Sequence, residues 1–125
     1  MAYASGDLVG GKLSLTPAVR ETSLVNDLRN GTGVIRSVVL ADVAAQSANM
    51  DVLFFSANPA GTTFVNNTAF DIADSDLAKL MGIAQLTTHA AFNTNSFSFA
   101  HGLYIPYALG NLAILYAALV VRATP

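Results

Sequence analysis

The chain has 125 residues, enough for one domain with a hydrophobic core, and no linker or shift in composition divides it. It is 53% hydrophobic and 11% charged, whereas a typical soluble domain is about a quarter charged. The net charge is −2 and the six basic residues are scattered, which argues against nucleic-acid binding; the absence of cysteine excludes disulfides and thiolate metal sites. The shortage of charge predicts surfaces buried against other chains, and therefore an assembly protein.

The first half of the chain predicts strands separated by turns. Residues 7–15 alternate leucine with polar residues, which is typical of a strand. Residues 16–33 are polar and contain proline and Asn-Gly, so they predict a loop or a short edge strand. Residues 34–40 and 49–55 are largely apolar on both faces, which favours strands that are covered on both sides.

A short helix is predicted to begin near Asp74. This aspartate is expected to cap the helix, Asp76 complements the positive end of the helix dipole, and Gly82 is expected to end it. The predicted buried stripe is Leu77, Leu80 and Met81. Residues 82–88 and 97–101 then predict two strands separated by a polar turn.

The uncharged stretch from Gly102 to Val121 is long enough to cross a bilayer as a helix. Pro106 and Gly110-Asn111 interrupt it, and its two halves are rich in β-branched and aromatic residues. We therefore expect two buried strands joined by a tight Gly-Asn hairpin, and no membrane association.

These elements predict an all-β fold, a β-sandwich or jelly-roll-like arrangement of six to eight strands with one short helix. We expect a single domain over residues 1–125 with an adaptable N-terminal segment, about 1–32. The first residues lack the basic start and apolar run of a secretory signal, so the sequence is expected to be that of the mature protein.

No motif predicts chemistry. Gly6 to Lys12 has the spacing of a phosphate-binding loop, but Leu13 stands where a hydroxyl would bind magnesium, and a strand follows where that motif requires a helix. Asp71, Asp74 and Asp76 lack the spacing of a calcium loop, so helix capping is the favoured interpretation.

His89 and His101 are the only imidazoles, and their spacing is not that of a zinc site. We therefore expect no catalytic residue, metal or cofactor, and a protein that is not an enzyme.

Aromatic residues are more numerous than one thin core between two sheets requires. Core packing is the first interpretation of each, and a subunit contact is the second. The residues concerned are Phe54, Phe55, Phe64, Phe70, Phe92, Phe97 and Phe99.

Several segments resemble those of small virion proteins of tailed bacteriophages, in particular the proteins that decorate or cement the capsid exterior. The segments are Tyr3 to Lys12, Gly33 to Leu40 leading to Asp42, Gln46 to Phe55, Asn58-Pro59, Asn67, Ala69 to Asp74, and Leu115 to Arg122. The resemblance covers most of the chain, and these are fold motifs without active-site residues.

The resemblance implies a non-enzymatic β-rich protein, made in the bacterial cytoplasm, that binds the outer surface of the virion. Its partners would be the major capsid protein and its own copies, with a trimer favoured because threefold symmetry lets it bridge several capsid subunits. Candidate contacts are Arg20, Glu21 and Arg29 in the adaptable N-terminal segment, together with Phe64 and Phe92. Two alternatives remain: a tail or head-to-tail connector protein, and a β-sandwich that binds a ligand or carbohydrate.

Overall fold

The structure, a computed structural model, describes residues 3–15, 32–43, 48–108 and 114–122. Within these ranges the chain is mostly β-strand with one short helix, which confirms the predicted all-β fold. In chain order the elements are β1 (Leu8–Leu15), β2 (Thr32–Ile35), β3 (Val38–Asp42), β4 (Met50–Phe55), α1 (Asp74–Leu77), β5 (Leu80–Leu86), β6 (Thr88–Ala91), β7 (Ser96–Ala100), β8 (Ile105–Ala108) and β9 (Leu115–Val121).

The central sheet is antiparallel and has the strand order β1-β9-β4-β5. Its two inner strands, β4 and β9, are buried on both faces. That burial explains why their sequences are apolar at nearly every position instead of alternating with polar residues.

One face of the central sheet packs on a second layer made of two smaller sheets, β2-β8 and β3-β7-β6. Val52, Phe54 and Leu86 form the central-sheet side of this core, and Ile105 of β8 packs against them. The layers approach closely at Gly82, where an added Cβ would lie 2.9 Å from a methyl carbon of Ile105. The arrangement is a sandwich of layers, and the jelly-roll topology stays a prediction.

The opposite face of the central sheet is covered by residues 56–79, the long connection from β4 to β5 that contains α1. Phe64, Phe70 and Ile72 from this connection pack against a fully buried group on the sheet that includes Leu8 and Phe55. The central sheet therefore lies between two hydrophobic cores.

The strand predicted over residues 34–40 is two strands. The chain turns at Arg36 and Ser37, so that β2 pairs with β8 and β3 pairs with β7. Both halves are apolar, and the break falls at the two polar residues between them, Arg36 and Ser37.

The hairpin predicted at the C-terminal end is wrong. β8 pairs with β2, whereas β9 lies between β1 and β4 in the other layer. Both strands exist, with the first beginning at Ile105 instead of Leu103, but they belong to different sheets. Gly110 and Asn111 lie outside the described residues. No helix in the described part of the chain is long and apolar enough to span a membrane.

The short helix exists, but its predicted limits and its cap are wrong. Ala73 is the residue at the N-cap and makes no side-chain capping bond, and α1 ends at Leu77. Gly82 lies inside β5, where Leu80 pairs with Phe55 of the central sheet. Leu77, predicted to be buried, is 56% exposed.

Candidate functional site: the outer face of the β3-β7-β6 sheet

The three-stranded sheet has apolar residues on the side that faces away from the core. In β7, Ser96 and Ser98 are buried, whereas Phe97 between them is exposed. A sheet with one solvated face normally shows the reverse order, with polar residues outward. We call this side the outer face; its strand residues are Val39, Ala41, Thr88, Ala90, Phe97 and Phe99. We include in it the residues that directly follow these strands at the next alternate position, which are Val43, Phe92 and His101.

The outer face exposes large apolar side chains. Val43 is 86% exposed, Phe92 64%, Val39 48% and Phe97 38%. Acidic and basic residues are absent from the positions that make up this face. A contiguous apolar surface of this kind is typical of an interaction site.

The register of the sheet gives the outer face a ridge with hollows beside it. Phe97 lies between Ala41 of β3 and Ala90 of β6, so a large side chain is flanked by two small ones. The Phe97 and Phe99 rings, 5.9 Å apart between centroids, continue the ridge along β7, and His101 stacks on Phe99 at 4.9 Å. This relief can interdigitate with another sheet face.

A buried polar network accounts for the inward orientation of Ser98 in β7, whereas the buried hydroxyl of Ser96 has no hydrogen-bond partner among the described residues. The Nδ1 atom of His89 lies 2.6 Å from the Ser98 hydroxyl, and its Nε2 atom lies 2.9 Å from the Asn49 amide oxygen. Because an amide oxygen only accepts, Nε2 donates to Asn49, while Nδ1 shares a hydrogen bond with the Ser98 hydroxyl. The network joins β6 and β7 to the residue that precedes β4, and Ser98 is buried within it.

No protein-family model, curated protein or solved structure matches this chain.

The structure describes two of the five predicted contact residues. Phe92 lies on the outer face, next to the β6-β7 turn. Phe64 is half-buried, packs against Phe70 with ring centroids 5.2 Å apart, and belongs to the core under residues 56–79. Arg20, Glu21 and Arg29 lie outside the described residues.

The sequence pattern missed Val39 and Val43 as surface residues and the outward orientation of Phe97. One signal was present in Ser96-Phe97-Ser98-Phe99, an alternation of small polar and aromatic residues. Alternation shows that the two sides of a strand differ, but it does not show which side meets the core.

The glycine-rich start of β1 forms an irregularity in the central sheet. Gly10 has a φ of +76°, and the register shifts between Val9 and Leu13. The shift directs Lys12 to the Asn58 amide oxygen, 2.7 Å away, and places its ammonium 5.7 Å from the ring centroids of Phe64 and Tyr116. Through these contacts Lys12 of β1 links the central sheet to the connection between β4 and β5.

A second apolar surface is a groove between the central sheet and the β2-β3 segment, with a volume of about 690 Å³. Leu13, Leu15, Val34 and Leu115 are among its lining residues, and Arg36 is the one charged residue among the described residues that line it. The volume lies within the range of small-molecule sites.

Among the described residues, which include Asp71, Asp74 and Asp76, no group of three potential metal ligands lies together. Asp76 is buried, and it accepts hydrogen bonds from Thr62 at 2.7 Å and from Lys79 at 2.8 Å. The bond from Lys79, followed by that from Thr62, lowers the pKa of Asp76 from its ordinary value of 3.8. Asp76 therefore acts as the anchor of the connection between β4 and β5.

This anchor predicts a specific loss of stability in acid. Folding lowers the pKa of Asp76 below its ordinary value of 3.8. The stability that the charged carboxylate contributes is therefore complete above pH 3.8, and it is lost as the pH falls through the lower pKa of the folded state. Asp76→Asn should reduce the urea midpoint at neutral pH and flatten its dependence on pH below about 4. Asp74→Asn, at an exposed aspartate, is the control and should keep the wild-type dependence of the urea midpoint on pH. If all three proteins show the same dependence in acid, Asp76 does not stabilise the connection between β4 and β5.

Proposed function

We propose that the protein decorates the capsid of a tailed bacteriophage, binding the outer surface of the shell and bridging subunits of the major capsid protein. The observation that carries the proposal is the uncharged outer face, which exposes aromatic and branched side chains on a domain that already has two hydrophobic cores of its own. Such a surface supports a role in assembly. The sequence resemblance supports the capsid as the site of that assembly.

Stabilisation by binding gives this role a physical basis. A protein that binds the assembled shell, and not its separated subunits, shifts the equilibrium toward the shell by mass action. A homo-oligomer, for which we propose three chains, would contact several capsid subunits at once and convert weak single contacts into avidity. The low charge of the chain predicts that this association depends little on salt.

Binding to particles tests the proposal. The purified protein is mixed with capsids that lack it and sedimented, and the bound amount is measured as its concentration rises. We expect saturation at a fixed number of copies per particle, together with release of packaged DNA at a higher temperature. Absence of binding, or binding without a gain in heat resistance, would overturn the decoration role.

Charge reversal in the N-terminal segment tests the proposed shell contact. Arg29→Glu should weaken particle binding, because an adaptable polar segment is expected to meet the capsid. Arg36→Glu, an exposed arginine of the folded domain, is the control. Unchanged binding by the Arg29 variant would remove this segment from the interface.

The apolar groove favours a second candidate, a β-sandwich that binds a ligand, because its volume of about 690 Å³ suits a small apolar molecule. A medium-chain fatty acid is a suitable probe. A monomer that binds no particles and gains thermal stability with this probe would favour the second candidate.

A further inference from the structure

We propose that the outer face is buried against other copies of this chain around the symmetry axis of a homo-oligomer. The inference deepens the proposed function by assigning the self-association surface, and it rests on the proposal that the protein works as a homo-oligomer. It assigns capsid contact to other surfaces of the domain.

The inverted pattern of β7 shows that the face is built to be covered. Two phenylalanines point outward while two serines occupy the buried side, one of them held by His89. Leaving aromatic surface in water forgoes its burial energy, and inward serines require hydrogen-bonding partners. This arrangement is favourable when a partner buries the outward aromatic rings.

The absence of charge favours a copy of the chain as that partner. Around a symmetry axis each residue lies near its own copies, so any charged residue there would face like charge. Within the described ranges, no aspartate, glutamate, lysine or arginine occupies a position of the outer face. A different protein would need other features for specific recognition, since charge complementarity, one of the main sources of specificity, is missing here.

The relief and the size of the face also suit self-association. The ridge of Phe97 and Phe99 can enter the hollows over Ala41 and Ala90 of a neighbouring copy. The four exposed large apolar side chains, Val39, Val43, Phe92 and Phe97, offer on the order of 400 Å² of apolar surface, about half of the roughly 800 Å² that each partner contributes to a standard interface. Polar residues at the margin, such as Thr88 and His101, would supply part of the rim.

The mass of the free protein, without particles, tests the inference. We expect a small oligomer by light scattering and sedimentation equilibrium. Phe92→Asp and Val43→Asp, two exposed positions at the same end of the face, should each raise the dissociation constant by at least about 30-fold, because they place like charges together in an apolar interface. Leu77→Asp, equally apolar and exposed but on α1, is the matched control and should leave the mass unchanged.

Circular dichroism is used to check that each variant is folded, so that a lower mass can be attributed to dissociation of the oligomer. A wild-type monomer at high micromolar concentration would overturn the inference, as would face variants that remain oligomeric or a Leu77 variant that dissociates equally. Particle binding is measured separately. A wild-type oligomer that the face variants dissociate, but that binds no capsids, would support this interface and reject the decoration role.

Discussion

Leu86→Ala and Leu8→Ala should each lower the free energy of unfolding by about 2–5 kcal/mol. Both leucines are fully buried, Leu86 in the core between the layers and Leu8 in the core under residues 56–79. Truncation removes their apolar contacts and leaves a cavity that the surrounding β-sheet fills only in part. Urea denaturation followed by circular dichroism, at one fixed protein concentration, measures both losses.

Leu77→Ala is the matched control, since the same substitution at a residue 56% exposed should change stability by no more than about 0.5 kcal/mol. The pair of core variants also tests the layer arrangement. If Leu86→Ala is costly but Leu8→Ala is not, residues 56–79 do not form a core on the second face. Apolar surface of the central sheet would then compete with the outer face as the site of association.

The strands that could be predicted are those whose pattern is local. β1, β4 and β7 follow from alternation or from short apolar runs bounded by turn residues, and the structure places them within a residue or two of their expected limits. These signals depend on the pleat of a single strand and need no knowledge of its partners.

Pairing could not be predicted, because it is decided by residues far apart in the chain. Gly110-Asn111 has the composition of a hairpin turn, yet β9 finds its neighbours in β1 and β4. The end of the helix was mispredicted for the same reason. Leu80 fits the apolar stripe of a helix, but in the structure it belongs to β5 and pairs with Phe55 of β4. Tertiary contacts override local preference in both cases.

The candidate site was predicted only in part for a related reason. Phe92 was expected at an interface from the excess of aromatic residues. The general rule that aromatic residues face the core assigns Phe97 inward and Ser98 outward. The structure reverses them, and the buried hydroxyl of Ser98 is paired with His89 of β6, whose other ring nitrogen is held by Asn49.

Arg122→Met should lower the free energy of unfolding by about 2–3 kcal/mol, below the 3–5 kcal/mol typical of a fully buried pair. The Nε atom of Arg122 donates to the carboxylate of Asp51 over 2.6 Å. The Asp51 side chain is only 10% exposed, so the substitution leaves a buried negative charge without its partner. The arginine side chain is 46% exposed, and water that reaches the site keeps the loss moderate.

A double-mutant cycle separates this effect from lost packing. Adding Asp51→Asn removes the uncompensated charge, so the double variant should recover about 1 kcal/mol or more relative to Arg122→Met alone. Arg36→Met, at an exposed arginine of the second layer, should change stability by less than about 0.5 kcal/mol. If Arg122→Met lowers the free energy of unfolding as little as Arg36→Met, or if adding Asp51→Asn recovers none of the loss, the ion pair between Arg122 and Asp51 does not contribute to stability. The hydrogen bond from the backbone of Arg122 to Asn49 would then be the contact that fixes the end of β9 beside the His89 network.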